Sequence, residues 1–193
     1  MRETPEEFMD AMELLLSRHS ATRLAPPGPD QPALEVMLRA ALRAPDHGRL
    51  RPWRFVVIPE NRREAFGELL ARSLQAREPG VAPEELARER GKALRAPVIV
   101  VAAARLRRDH RIPEVEQVIS AGAAAEHVML AAQAMGFGAM WKTGGPAYDP
   151  AVKQALGLDA EDAIVGFLYV GTESGEPSPA PRPGLEGHVS VWG

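Results

Sequence analysis

The sequence contains no cysteine among its 193 residues. That absence excludes a disulfide framework, thiol catalysis, iron–sulfur clusters and cysteine-ligated zinc. An excess of one charge is also missing, because 23 Lys and Arg face 26 Asp and Glu without long blocks of one sign. The charge balance therefore argues against nucleic acid as the main partner.

Long hydrophobic runs are missing as well. Residues 1–7 are acidic and lack the apolar core of a signal peptide. The longest alanine-rich stretch, residues 118–132, is interrupted by Glu126 and His127, so it does not have the composition of a membrane-spanning helix. From these absences we expect a cytoplasmic protein without a membrane partner.

Several catalytic signatures are absent too. No Gly-x-Ser-x-Gly elbow and no His-Glu-x-x-His pair occurs, so no motif supports a hydrolase or zinc-protease function. The glycine pair in residues 136–138 lacks the third glycine of a dinucleotide-binding loop. Acidic and histidine side chains cluster at residues 109–116, but three arginines crowd the same segment, so we predict no metal site.

Hydrophobic periodicity predicts a mixture of helices and buried strands. Two continuous apolar runs, residues 97–104 and 163–170, are typical of strands that are buried on both faces. No regular alternation of strand and helix appears, so the prediction is one α+β domain over residues 1–193, with a proline-rich tail from residue 174. The alternating end of this tail could add a strand to a partner subunit. Helices are predicted over 5–18, 34–42, 61–77, 83–95 and 113–135, and further strands over 53–58 and 137–141.

Two early segments carry candidate binding residues. Arg18, His19 and Ser20 combine two potentially cationic side chains with a hydroxyl, a set that can hold a phosphate by charge-assisted hydrogen bonds. The alternative is a helix C-terminus that favours basic residues because of its dipole. Further on, Arg43 and His47 lie in a connection between a helix and a strand, where binding sites are common, although an ordinary loop would look the same.

A third segment follows a short glycine-flanked strand. Trp141, Lys142 and Thr143 present an aromatic ring, a cation and a hydroxyl beside a glycine turn. A planar ligand could pack against such an edge, while the hydroxyl and backbone amides hold its polar rim. The alternative is a plain strand followed by a turn, which does not account for the lysine.

Together and in this order, the three segments resemble the nitroreductase family of FMN-dependent oxidoreductases. The resemblance is carried by Arg-His-Ser after the first helix, Arg-Ala-Pro after the second, the Gly-x-Gly strand and the late strand at residues 166–171. It extends from about Met12 to Gly171 and is strongest for the small, compact bacterial NAD(P)H nitroreductases. It implies a nitroreductase-like fold, in which a central mixed β-sheet is surrounded by helices.

The resemblance also implies a homodimer with FMN at the subunit interface and a C-terminal tail that extends to the partner. One group of residues would hold the FMN phosphate and ribityl chain, a second would reach the flavin from the other subunit, and a third would line it. By motif position these groups are Arg18, His19 and Ser20; Arg43 and His47; and Trp141, Lys142 and Thr143. Residues 131–136 match the region that similar proteins use for the nicotinamide.

The implied activity is ping-pong hydride transfer, in which NADH or NADPH reduces FMN and an electron-poor acceptor, nitroaromatic or quinone-like, then reoxidises it. No protein residue is predicted to act as nucleophile or base, because the cofactor carries the chemistry. Many family members have a basic residue near the flavin at the position of Thr22, which leaves Lys142, Arg23 and Arg18 as cations that could stabilise the reduced flavin. The alternative is a flavin-binding carrier or redox sensor with little turnover.

Overall fold

A computed structural model describes residues 10–175 and 181–193. The described helices and strands follow one another as an α+β chain, with short helical turns between some of them. The helices are α1 (Ala11–Ser17), α2 (Gln31–Ala41), α3 (Arg63–Arg77), α4 (Pro83–Gly91), α5 (Glu114–Ala134), α6 (Gly145–Tyr148) and α7 (Pro150–Ala155). The strands are β1 (Leu24–Ala25), β2 (Trp53–Ile58), β3 (Val98–Ala104), β4 (Gly138–Lys142) and β5 (Ala163–Glu173).

The strands form one sheet in the order β1–β5–β3–β2, and β4 also pairs with β5. The helix-surrounded sheet implied by the resemblance is present. All the pairings among the described strands are antiparallel, so the sheet that one chain builds has no parallel pair. The long strand β5 holds the sheet together, since it pairs with three of the other four strands.

The two apolar runs predicted to be buried strands are the central strands of the sheet. Every residue of β3 is buried, because helices cover both faces of the sheet. Successive side chains of a strand point to opposite faces. Val100 therefore packs with Leu168 on the face covered by α2 and α5, and Val101 packs with Phe167 on the face covered by α3 and α7.

Helix α5 lies at the centre of the molecule, and its predicted bounds are correct to one residue at each end. Its middle turns consist of small residues, of which Ala121, Ala124 and Ala125 are almost completely buried. These small residues predict a helix at the centre of the domain or of a dimer interface, and α5 is packed into the core of the domain. Helix α4 is shorter than predicted, because the chain tightens into a 3₁₀ turn at residues 92–94.

Both ends of the described chain leave apolar side chains exposed. Helix α1 begins after Asp10, which caps it by accepting the backbone N–H of Met12 at 2.9 Å, and it has no buried residue. The predicted helical residues 5–9 lie outside the described part. The tail at 181–193 forms no strand in this chain and leaves the Trp192 side chain fully exposed. No helix within residues 10–175 and 181–193 is long and apolar enough to cross a membrane.

Candidate functional site

The first predicted segment runs from the end of α1 along the edge of the sheet. The Ala21 N–H donates a hydrogen bond of 2.9 Å to the Ala139 carbonyl of β4. Gly138 makes this approach possible, because a Cβ atom at that position would lie 2.9 Å from the Ala21 Cβ. The backbone contact therefore fixes the first segment beside the third.

Two carboxylates hold the cationic side chains of the first segment. The Arg18 Nε lies 3.2 Å from Glu126 Oε1 on α5, and the His19 Nε2 lies 2.8 Å from Glu173 Oε2 on β5. Ser20 is exposed beside them. Neither carboxylate was predicted from the sequence, since each is more than 100 residues from its partner along the chain.

A cleft of about 380 Å³ opens beside this segment, between α1, the C-terminal end of α5 and the start of β4. Its lining includes His19, Gly136 and Gln133, whose side-chain amide donates a 2.9 Å hydrogen bond to the Ser17 hydroxyl. Of residues 131–136, implied for the nicotinamide, Gln133 and Gly136 thus border the same cleft as His19. The volume lies within the usual range of small-molecule sites.

A second guanidinium reaches the first segment from the C-terminal tail. The Arg182 side chain donates a hydrogen bond to the backbone carbonyl of Arg18. Sequence reasoning missed Arg182, because it treated the proline-rich tail only as a possible added strand. The contact brings one more positive charge to the place where a phosphate was predicted.

The second predicted segment follows α2 and contacts α5 at a different place from the first segment. His47 Nδ1 lies 2.5 Å from Glu116 Oε2, and both side chains are substantially exposed. Glu116 precedes Glu126, the partner of Arg18, by ten residues, which is about 15 Å along a helix. Arg43 is exposed near the end of α2. One chain therefore does not bring His47 to Arg18.

The third segment divides between the two faces of the sheet. The Trp141 indole N–H donates a 3.1 Å hydrogen bond to the Val165 carbonyl, and the ring packs against the core beneath α5. It occupies the space above Gly166, where a Cβ atom would overlap the indole. Lys142 is the next residue of β4, so its side chain belongs to the opposite face.

On that opposite face Lys142 and Thr143 border two small cavities. Lys142 lines a cavity of about 150 Å³ together with Thr22, Arg95 and Tyr169. Thr143 lines a cavity of about 20 Å³, which Tyr169 also borders. Burial raises the pKa of Tyr169 to about 12, although the nearby Arg95 charge opposes the shift. The Tyr169 hydroxyl is therefore neutral at ordinary pH.

The smaller cavity contains a buried carboxylate that the sequence did not single out. Glu89 is 7% exposed and pairs through Oε2 with the Lys92 ammonium. Its Oε1 is buried and has no hydrogen-bond partner, the only such side-chain atom in the part of the chain that the structure describes. A buried unpaired oxygen is costly, so it marks a position where a ligand or water molecule would be stabilised.

The glycine turn after Thr143 is supported by a buried aspartate, which contacts it through Arg77. Asp149 caps α7 by accepting the Ala151 N–H at 2.8 Å, and it also accepts the Ser73 hydroxyl. Its Oδ2 lies 3.4 Å from the Arg77 Nε, and the Arg77 guanidinium packs on Gly145. Burial alone would raise the pKa of Asp149, but these hydrogen bonds and the Arg77 charge outweigh it and lower that pKa.

Comparison with known proteins places this arrangement in a family. Residues 15–172 match the model of the nitroreductase family. "Putative NAD(P)H nitroreductase YdjA" of Escherichia coli (strain K12) is 42% identical over 164 residues, which are 85% of this chain and 88% of that protein. "Putative NAD(P)H nitroreductase" of Haemophilus influenzae is 34% identical over 165 residues, 85% of this chain and 89% of that protein.

Solved structures have the same fold. A nitroreductase-like family protein from Bacillus cereus superposes with a TM-score of 0.81 at 23% identity, over 95% of this chain and 96% of that one. A Desulfovibrio desulfuricans protein, described as a nitroreductase in complex with FMN, superposes with a TM-score of 0.69 at 25% identity, over 94% of each chain. This chain belongs to the nitroreductase family, as its motifs predicted.

Proposed function

We propose that this chain is an FMN-dependent oxidoreductase that takes electrons from NAD(P)H and passes them to nitroaromatic, quinone-like or other electron-poor acceptors. The observation that carries the proposal is the convergence of the first and third segments at β4, beside a cleft that also borders the end of α5. The similar proteins support both cofactors, since the Escherichia coli relative is named for NAD(P)H and the Desulfovibrio desulfuricans structure is a complex with FMN. A cytoplasmic location is part of the same proposal.

The residues around β4 fit FMN by the chemistry of their side chains. Arg18 and Arg182 offer guanidinium groups for the phosphate, and the Ser20 hydroxyl suits the ribityl chain. Lys142 and Thr143 border the opposite side of the same strand, where the buried Glu89 oxygen lacks a partner. Bound FMN would supply the hydride chemistry, and the protein groups would bind it, orient it and tune its electronics.

The proposal includes a homodimer, which α1 supports. This helix has no buried residue and exposes Met12, Leu15 and Leu16. Val115 and Ile119 are likewise more than half exposed on α5, whose first turns also carry Glu116, the partner of His47. Exposed apolar patches of this kind are typical of protein–protein interfaces. In such a dimer, Arg43 and His47 would reach the flavin held by the other subunit.

The function is tested by the absorbance spectrum of the purified protein with added FMN, followed by anaerobic NADH and, separately, NADPH. We expect bound yellow flavin that loses its colour with at least one donor, and reoxidation when a quinone or nitroaromatic acceptor is added. Bound flavin that stays oxidised with both donors would contradict the oxidoreductase and indicate a carrier or sensor. An absence of bound flavin would contradict the transfer of all three segments.

A further inference from the structure

A cationic cavity lies on the face of β4 away from α5. Its wall is formed by the first segment, by β4 and β5, and by the turn that precedes β3. Two cations line it, Lys142 from the end of β4 and Arg95 from that turn, together with the Thr22 and Tyr169 hydroxyls. No carboxylate is among its lining residues within the described ranges. A cavity of this composition suits a negatively charged group.

The two cations of this cavity differ from those of the first segment. Arg18 and His19 each lie beside a carboxylate, whereas neither Arg95 nor Lys142 forms an ion pair within residues 10–175 and 181–193. The acidic group that acts on the Tyr169 pKa is Glu89, which is already paired with a lysine. The cavity lining therefore carries an excess of positive charge, from two side chains that are exposed to solvent.

The cavity is separated from the predicted phosphate position by the strand itself. The Arg18 partner Glu126 lies on α5, which covers one face of the sheet, whereas Met140 and Tyr169 of the cavity pack on the other face. The first segment links the two places, because Arg18 lies at its start, Ala21 is bonded to β4, and Thr22 lines the cavity. A long ligand lying along this segment would reach both places. With its phosphate near Arg18, the flavin would bring its ring system toward Lys142.

We propose that Arg95, together with Lys142, stabilises the negative charge that the FMN ring gains on reduction and so sets its reduction potential. The inference rests on the proposed function. NAD(P)H gives up a hydride, which carries two electrons and one proton, and leaves as NAD(P)⁺, so the flavin gains one negative charge. Fixed cations placed where charge develops stabilise it without reorganisation. Thr22, which lines the same cavity, is uncharged, so the positive charge there comes from Arg95 and Lys142.

The test compares Arg95→Gln with the unsubstituted protein, each saturated with FMN. The readouts are the two-electron midpoint potential, from spectroelectrochemical titration, and the dissociation constants of oxidised FMN and riboflavin, from fluorescence quenching. We expect the potential to fall by about 30 mV for each tenfold loss in the preference for reduced over oxidised flavin. The affinities for oxidised FMN and riboflavin should change by the same small factor, since neither ring is charged.

Two further variants separate charge from structure. Arg95→Lys keeps the charge and should retain most of the potential, whereas Arg54→Gln removes an exposed arginine from β2, on the other side of β3, and should leave it unchanged. A potential that is unchanged in Arg95→Gln would overturn the inference. So would a selective loss of FMN over riboflavin binding, because that result would assign the cavity to the phosphate. If the unsubstituted protein binds no FMN, the proposed function fails and this inference fails with it.

Discussion

The three predicted flavin-binding segments are held by the protein in two different ways. The first and third segments are joined by a backbone hydrogen bond between Ala21 and Ala139, and Trp141 is fixed by a hydrogen bond from its indole. In the second segment the Pro45 carbonyl accepts a 2.7 Å hydrogen bond from the Ser120 hydroxyl of α5. Among the described residues, however, the His47 side chain is bonded only to the exposed Glu116 carboxylate, and Arg43 is exposed. One chain thus holds the first and third segments, the firm half of the predicted site, in place. It displays the second segment, the surface half, on its surface.

This difference indicates which flavin the surface half would contact, the one held by its own chain or the one held by the partner subunit. Exposed ion pairs contribute little to stability, so the position of His47 is not explained by what it does for its own chain. About 15 Å of helix separates its partner Glu116 from Glu126, the partner of Arg18. Both facts are accounted for if each flavin takes the firm half from one subunit and the surface half from the other.

The largest expected effect comes from mixed dimers that separate the two halves. Charge-assisted hydrogen bonds contribute about 1.5–3 kcal/mol, so Arg18→Ala should weaken FMN binding by about tenfold or more in its homodimer, and we expect a similar loss for His47→Ala. A dimer with one subunit of each kind carries both changes in one site and neither in the other. We expect it to bind one FMN per dimer with unsubstituted affinity, measured by titration of doubly tagged protein.

The same mixed dimers can also contradict the assignment of the two halves to different subunits. If Arg18 and His47 act on one flavin from the same chain, both sites of the mixed dimer are defective and no tight site returns. The homodimers of each variant, purified with the same pair of tags, serve as controls for stoichiometry.

A smaller effect is expected for Asp149→Asn, which weakens the support beneath the third segment. Loss of the charge leaves Ser73 and Arg77 poorly paired, and we expect about 1–3 kcal/mol less free energy of unfolding at pH 7. Because the folded-state pKa is lowered, this contribution is complete above the ordinary value of 3.8 and is lost as the pH falls through the folded pKa. Urea unfolding at several pH values checks it, and a difference that persists in acid would contradict the assignment.

Trp141→Phe tests how much the indole hydrogen bond stabilises the firm half. Losing the donor to the Val165 carbonyl should lower the free energy of unfolding by about 1 kcal/mol. Trp53→Phe is a matched control, since no hydrogen bond from the Trp53 side chain occurs in the described part of the chain and the change removes the same atoms. Equal losses in the two variants would show that packing, and not the hydrogen bond, accounts for the effect.

Glu116→Gln should have the smallest effect on folding. It removes the charge beside His47 at an exposed position, so we expect less than about 1 kcal/mol in urea unfolding. A loss larger than that of Trp141→Phe would show that the second segment is held as firmly as the third, and the contrast between the two halves would disappear.

The central elements could be predicted because their signals are local. The apolar run of β3 and the alanine-rich middle of α5 show in the sequence both which element forms and how deeply it is buried. The antiparallel pairing of β3 with β5 joins residues 59 to 72 positions apart, from Ala104 with Ala163 to Val98 with Val170, and has no local signal. The resemblance implies a mixed sheet, and the strand pairs described within one chain are its antiparallel pairs.

The site was predictable only in part for the same reason. Arg18, His19 and Lys142 stand in recognisable motifs, whereas Arg95 and Arg182 become neighbours of those motifs only through the fold. A basic residue just before an apolar strand is too common to signal a site. The carboxylates that hold the first segment lie on other elements, so no spacing within the segment could indicate them.

The packing of the Trp141 indole over Gly166 limits which pairs of residues can stand at these two positions. The indole of Trp141 fits only because position 166 has no side chain, so the two positions are constrained as a pair. A library randomised at both positions should recover larger residues at 166 only with smaller ones at 141. Position 166 would therefore accept a larger residue only after position 141 has become smaller, so the order of the two substitutions matters.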